Sequence, residues 1–380
     1  MSALVAEADR AAASGDIARA IELLEQAGEA QAGQAEYWMK MAALRRAAGQ
    51  PAKALDAIHR VLALSEFDFM ALVMRATLIE RLEPAKAGEA WARALAQRPA
   101  GDLPPQVLGA LARGEAARDA WLQAREDLLE EATAKVIAET GSEEADDIRR
   151  FRSNTLRKTR TYHSEATHFS YPGLVTREFH RRSDHPWLAE LEEQVEAICE
   201  ELAAVMASER AELVPYIQYQ DHEALEQWRP LNQNPDWTAI HLMKSGKMVE
   251  ANARHCPRTM ELLARLPQPD IPGASPNAMF SLLAPRTTIP PHVGYNNARL
   301  VCHLPLIVPE GCWFRVGGET RRWVRGEAFV FDDTVEHEAA NPSDELRIVF
   351  IFDVWHPGLG EAGREAVRRV VSSDGGDAAL

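Results

Sequence analysis

Small apolar residues recur along the first hundred positions. Ala8 returns as Ala42, Gly15 as Gly49 and Ala20 as Ala54, while Leu24 matches Ile58 and Ala27 matches Val61, a spacing of 34 residues. A third copy, one residue shorter near Leu82, carries Ala76, Ala87, Trp91, Ala94 and Pro99. This period predicts helix–turn–helix units stacked side by side. The alanines let two antiparallel helices approach closely, and Leu24 and Ile58 fill the space to the next unit. Gly15 and Gly49 stand where a first helix must end.

Residues 106–165 stay helical in pattern but become strongly charged. Glu143, Glu144, Asp146 and Asp147 form an acidic run, and Arg149, Arg150, Arg152, Arg157, Lys158 and Arg160 a basic one. Two roles are open to this stretch, a docking site for an acidic partner and a solvated connector. From Tyr171 onward Pro, Trp, His and β-branched residues rise. Ser183-Asp184-His185-Pro186 reads as a helix start. Leu188, Leu191, Val195, Ile198 and Leu202 follow at helical gaps and predict one buried face. Strand signals come next: Arg299–Val308, Trp313–Val316, Thr320–Val324, Glu327–Phe331 and Leu346–Trp355, with Gly317-Gly318 as a tight hairpin. The expected fold is α+β, a helical solenoid followed by a jelly-roll barrel with supporting helices.

Charge narrows the partners. Forty-two basic against 57 acidic side chains leave −15 at neutral pH, which argues against nucleic acid and anionic membranes as partners. Hydrophobic content of 46% is that of a folded globular chain rather than a disordered one. Cys199, Cys256, Cys302 and Cys312 lack ligand spacing and suit a reducing compartment. The N-terminal MSALVAEADR shows no signal-peptide core, and no stretch is apolar enough to span a membrane, so the expected location is cytoplasmic.

Chemistry concentrates near the end of the chain. His292 lies in Ile-Pro-Pro-His-Val-Gly, His337 follows 45 residues later in Phe-Asp-Asp-Thr-Val-Glu-His-Glu, and Arg347 ten residues beyond. Two imidazoles bind Fe(II) and leave open positions. A guanidinium fits a carboxylate through two parallel bonds, and a buried one needs such a partner. The order is that of jelly-roll iron oxygenases using 2-oxoglutarate. Gly294 falls where most such enzymes carry the third, carboxylate ligand. Asp332, Asp333, Glu336 and Glu338 are the nearby acids. Glu336 and Glu338 are expected on the opposite sheet face, and Asp332 and Asp333 to shape the turn or support the ligands from behind.

Two resemblances follow from these residues. Positions 5–100 resemble tetratricopeptide repeats, with the aromatic positions mostly missing apart from Trp38 and Trp91. PPHVGYNNARLVCHLPL and GEAFVFDDTVEHEAANPSDELRIVFIFDVWHP resemble the aspartyl/asparaginyl β-hydroxylases, with weaker agreement back to YPGL at 171–174. The second resemblance implies a cupin-like double-stranded β-helix using Fe(II), 2-oxoglutarate and O2. It makes His292 and His337 the metal ligands. Arg347 and Ser281 would hold the distal carboxylate, His303 would contact the co-substrate, and Trp237 would line the pocket. An arginine of the family's animal members is replaced by Val301, and Arg299, two residues away, is expected on the same strand face and to take its place in binding the co-substrate.

The expected organisation is a repeat array at 1–102, a charged helical connector at 103–167, an oxygenase domain at 168–358 and a tail at 359–380. The expected activity is hydroxylation, most simply at the β-carbon of Asp or Asn in a peptide, protein or carrier-bound amino acid. The repeats either recruit such a polypeptide or only stabilise or pair the chain. The rival readings are an iron/2-oxoglutarate halogenase, with chloride in the place left by Gly294, and a non-catalytic scaffold with a degenerate cupin-like domain.

Overall fold

A computed structural model describes residues 3–208, 212–220, 222 and 226–373. The chain divides into two compact units, Met1–Leu156 and Arg157–Leu380.

The first unit is helical. Its helices are α1 (Ala3–Ala13), α2 (Ile17–Gln31), α3 (Ala35–Ala47), α4 (Pro51–Leu64), α5 (Phe69–Leu82), α6 (Ala87–Leu95), α7 (Pro105–Glu139) and α8 (Ser142–Thr155). They pack as consecutive pairs, α1 with α2, α3 with α4 and α5 with α6. The recurring small residues Ala8, Ala20, Ala42, Ala54 and Ala76 are all buried between helices. Gly15 and Gly49 adopt φ of +85° and +71°, the left-handed conformation that ends α1 and α3. Asp16 caps α2 by accepting from the Arg19 amide at 3.0 Å.

Tyr37, rather than the neighbouring Trp38, supplies the buried aromatic of the second pair. Its hydroxyl donates to the Leu24 carbonyl at 2.9 Å, which satisfies the polar end of a buried ring. The third pair is closed by two tryptophans lying over glycines. Trp91 covers Gly114 of α7, and Trp121 of α7 covers Gly88 of α6. α7 therefore seals the array with its first half. Leu128 and Val136 farther along are exposed.

The second unit holds two sheets. The strands are β1 (Leu213–Pro215), β2 (Trp237–Lys244), β3 (Lys247–Met248), β4 (Ala278–Leu283), β5 (Thr287–His292), β6 (Arg299–Ile307), β7 (Trp313–Val316), β8 (Glu319–Arg322), β9 (Phe329–Phe331), β10 (His337–Asn341) and β11 (Arg347–Trp355). The larger sheet runs β1-β2-β4-β11-β6-β9, with β3 on β2, and the smaller runs β5-β10-β7-β8. All named pairings are antiparallel, as a jelly roll requires. Gly317-Gly318 makes the two-residue turn between β7 and β8, with Gly317 at φ +53°.

Strand alternation sorts the residues of β6. Leu300, Cys302 and Leu304 face outward to a core shared with α9 (Leu188–Glu193), α10 (Val195–Met206) and α12 (Pro257–Leu263). Val301 faces inward, into the core between the sheets, with Val349 and Ile351 of β11 and Phe314 and Ala339 of the smaller sheet. The helix expected over 188–202 is interrupted at Gln194, between α9 and α10, yet its five expected core residues are all buried. The connector's helical pattern, expected to 165, stops at Thr155. α11 (Glu250–Ala253) follows β3, and α13 (Glu361–Ser373) packs Val367 in a cluster with Tyr295, Trp355 and Leu359.

Candidate active site

Register brings the two histidines together. β5 and β10 are neighbours, and His292 stands opposite His337. Their ring centroids are 4.0 Å apart. Both rings are oriented by backbone carbonyls: Nδ1 of His292 donates to Pro290 at 2.8 Å, and Nδ1 of His337 to Val335 at 3.1 Å. A carbonyl only accepts, so each Nδ1 carries the proton and each Nε2 keeps its lone pair. Burial, with the adjacent His337, pushes His292 down to about 3. Burial pushes His337 down to about 4. Both rings are thus neutral near pH 7, the form that ligates a metal. Trp228 meets His292 edge-on at 5.0 Å between centroids, and Trp237 lies 6.5 Å from it.

The space beside Gly294 is already filled. A Cβ built on Gly294 would lie 2.1 Å from Oδ2 of Asp333 and 2.6 Å from Oδ1. The Asp333 carboxylate therefore occupies the volume that a side chain at 294 would take. The Gly294 amide donates to the Asp333 carbonyl at 2.6 Å and fixes the two loops together. Oδ2 of Asp333 pairs with Arg299 at 3.0 Å, and Oδ1 has no hydrogen-bond partner among the described residues. Burial raises the Asp333 carboxyl, and Arg299 and then His292 oppose that rise. Asp332 instead accepts from the Thr334 amide at 3.0 Å and shapes the turn. Glu336 and Glu338 both reach Arg315. Among the described residues no three His, Cys, Asp or Glu side chains are grouped to hold a metal, so the histidine pair stands alone.

A basic end lies on the larger sheet. Arg347 opens β11 opposite Leu283 and is 1% exposed, yet its Nε has no partner. No carboxylate lies within ion-pair distance of it among the described residues. Burial lowers Arg347 to about 10, so it remains charged near neutrality. Its guanidinium lies 4.8 Å from the Trp323 ring centre. Trp323 Nε1 and His303 Nδ1 are also buried without hydrogen-bond partners among the described residues. Burial, and then the charge of Arg347, hold His303 well below the usual histidine range. Ser281 accepts from Trp237 Nε1 at 3.1 Å, and Trp237 stacks on Tyr216 at 3.9 Å. Unmet buried donors around a cation fit the distal carboxylate of a small dicarboxylic acid.

Arg299 is placed differently. It is buried between protein carboxylates, Asp333 at 3.0 Å and Asp353 at 3.6 Å. Asp353 is itself held by Ser275 at 2.8 Å and by the Asn277 amide at 3.0 Å. Arg299 thus ties the Gly294 side of the site to β11. Val301 adds only an apolar side chain to the inter-sheet core. Tyr216, Trp228 and Trp323 carried no spacing signal, because isolated aromatics read as ordinary core. Asp333 was visible in the motif, but its position against Gly294 depends on a contact across 39 residues.

Fold and site together define a class: a jelly-roll unit with a two-histidine centre, a glycine at the usual place of the third ligand, and a buried unpaired arginine. Residues 192–357 match the model of the family described as aspartyl/asparaginyl beta-hydroxylase. Human "aspartate beta-hydroxylase domain-containing protein 2" is 38% identical over 149 residues, 38% of this chain and 40% of the relative. Human "aspartyl/asparaginyl beta-hydroxylase" is 35% identical over 139 residues, 36% of this chain and 18% of the relative. The matches thus span well under two thirds of these relatives. The Sgt2 tetratricopeptide domain of Aspergillus fumigatus aligns over 30% of this chain and 77% of its own, at 20% identity and a TM-score of 0.27. No helix among the described residues is long and apolar enough to cross a membrane.

Proposed function

We propose that residues 157–380 form an Fe(II)- and 2-oxoglutarate-dependent dioxygenase that hydroxylates the β-carbon of an Asp or Asn side chain. The carrying observation is Arg347, a buried guanidinium with no carboxylate partner among the described residues, in the same jelly roll as the histidine pair. His292 and His337 would hold the iron, and Arg347, Ser281 and His303 the distal carboxylate of 2-oxoglutarate. When bound, these groups supply oxidative chemistry: 2-oxoglutarate, O2 and a substrate C–H bond become succinate, CO2 and a C–OH bond.

The chain's own contribution is orientation and exclusion of water. The Pro290 and Val335 carbonyls fix the tautomer of both imidazoles. Trp228, Trp237 and Tyr216 form an apolar wall beside His292. Asp333 places a carboxylate oxygen beside Gly294 that is free to accept a hydrogen bond. The same charge weighs against the halogenase reading, because a chloride there would face an anion. The substrate residue would be carried in a peptide, a protein or a carrier-bound amino acid, with the helical repeats as a polypeptide-binding element.

Conversion of 2-oxoglutarate to succinate by the purified chain with added Fe(II) tests this reading. His292→Ala and His337→Ala are each expected to abolish it. Undiminished turnover in both variants refutes the assignment.

A further inference from the structure

The loops that carry Gly294 and Asp333 are joined by a segment outside both sheets. α8 ends at Thr155, and the chain continues past Tyr171 without regular helix or strand. Ser164 to Tyr171 of this run lies across both loops. The Glu165 amide donates to the Thr334 carbonyl at 2.8 Å, and the Ser164 and Thr334 hydroxyls share a hydrogen bond of 2.7 Å. The Thr167 amide and hydroxyl then both donate to the Gly294 carbonyl, at 3.0 and 3.3 Å. The His168 amide donates to the Tyr295 carbonyl at 3.0 Å, and its ring stacks on Tyr295 with centroids 3.7 Å apart. The Tyr171 amide donates to the Asn297 side-chain oxygen at 2.6 Å, and the Asn297 side-chain amide donates back to the Tyr171 carbonyl at 3.0 Å.

This segment staples the approaches to both histidines. Thr334 directly follows Asp333, and the next residue, Val335, supplies the carbonyl that orients His337. Gly294 stands two residues after His292. Its amide is held by the Asp333 carbonyl and its own carbonyl by Thr167, so the backbone is fixed on both sides. Glycine has the most backbone freedom to lose and depends most on such anchors. The Asp333 carboxylate fills the volume beside that glycine, so its aim follows the spacing of the two loops. Upstream, Tyr162 lies 5.7 Å from the Arg315 guanidinium, which holds the Glu336 and Glu338 that flank His337. A misplacement of about 1 Å at a reacting centre can cost on the order of a hundredfold in rate.

We propose that Ser164, Thr167 and His168 are positioning residues for the two-histidine centre. They set the spacing between the Gly294 and Asp333 loops, and through it the direction of His292, His337 and the Asp333 carboxylate. This deepens the reading of His292 and His337 as metal ligands and rests on it. It gives the segment that enters the second unit a chemical task beyond connection.

Cobalt(II) absorption reads the geometry at the histidines in the full-length chain, independently of turnover. In the parent, bands that His292→Ala and His337→Ala each remove are expected. Ser164→Ala combined with His168→Ala changes one half-buried and one exposed position. That pair is expected to shift the bands and raise the Kd for Co(II) at least about tenfold. The kcat for 2-oxoglutarate conversion should fall as well. KM for 2-oxoglutarate should stay within about twofold, because Arg347, Ser281 and His303 lie on the larger sheet. Ser164→Thr combined with His168→Phe keeps a hydroxyl and a stacked ring and should recover most of the loss. Thr167→Pro removes the amide that donates to Gly294 and is an independent second variant. Circular dichroism establishes that each variant is folded. Parent-like bands and affinity in both the alanine pair and Thr167→Pro overturn the proposal and leave the ligand reading intact. A conservative pair as impaired as the alanine pair, or a matching rise in KM for 2-oxoglutarate, marks general destabilisation and also overturns it. A parent without histidine-dependent Co(II) bands overturns the ligand reading, and the proposal with it.

Discussion

The Asp333 carboxylate occupies the space beside the α-carbon of Gly294, 2.1 Å from where a Cβ would stand. The glycine and the acid are thus two parts of one arrangement. A side chain at 294 and the present rotamer of Asp333 exclude each other.

Gly294→Ala is therefore expected to destabilise the second unit by about 1–3 kcal/mol, the usual cost of overpacking a filled interior. Gly294→Asp adds like-charge repulsion and is expected to cost more. Asp333→Ala carries its own cost, because it takes a partner from the buried Arg299, but in that background Gly294→Ala should add little further loss. Urea denaturation of the single and double variants checks this, and simple additivity of their effects counts against the packing explanation.

Two buried arginines should respond in opposite ways. Arg299 neutralises Asp333 and Asp353, so Arg299→Met strands two buried acids and is expected to cost about 3–5 kcal/mol. Arg347 neutralises no protein carboxylate, so Arg347→Met is expected to hold or raise the melting temperature of the co-substrate-free chain. The same change should abolish stabilisation by 2-oxoglutarate, which at a hundredfold excess over Kd is worth about 2.7 kcal/mol in the parent. Thermal melts with and without 2-oxoglutarate separate these outcomes. Stabilisation that persists in Arg347→Met removes the arginine from the co-substrate site.

Acid should destabilise the second unit through its buried neutral histidines, which include two remote from the proposed metal. His180 lies 5.9 Å from His185 and 5.1 Å from His356 between ring centroids. Nε2 of both His180 and His185 is buried without a hydrogen-bond partner among the described residues. Burial pushes His180 down to about 3 and His185 to about 4, whereas an unfolded histidine titrates near 6.5. The unfolded chain takes up these protons first. Stability is therefore complete above about pH 6.5 and falls as pH drops toward the folded values. Denaturation midpoints from pH 8 to 4 should show this slope, and His180→Phe should flatten it. A slope unchanged in that variant assigns the acid sensitivity elsewhere.

In the helical unit, Gly114→Ala forces a methyl group within about 2.3 Å of the present Trp91 ring position. A loss of about 1–3 kcal/mol is expected, measured by circular dichroism during urea unfolding. Gly109 of the same helix has open space around its α-carbon. Gly109→Ala is expected to be neutral or stabilising by up to about 1 kcal/mol, and an equal loss at both positions contradicts the interlocking of α6 and α7.

Much of this structure was legible from residue spacing. The buried alanines at 8, 20, 42, 54 and 76 recur because each helix pair repeats one packing problem. The β7–β8 turn at Gly317-Gly318 was legible because only glycine readily takes that backbone turn. The approach of His292 to His337 was suggested by motif order, but the opposition itself comes from strand register across 45 residues. Spacing could not reveal that Arg299 is committed to Asp333 and Asp353, since β6 alternation fixes a face and not a partner. It likewise could not distinguish Tyr37 from Trp38 as the buried ring, because neighbouring helical positions differ only by a rotation that packing decides.

β5 lies at the end of its sheet and contains Pro290 and Pro291 immediately before His292. Neither proline has an amide hydrogen to offer. A polypeptide therefore cannot complete a regular strand ladder along this edge beside His292, as peptides do when they extend an open sheet. On the proposed function, a polypeptide presented to the histidines would be held through its side chains or in a bent conformation rather than as an added strand, which favours turns and loops over extended tails as targets.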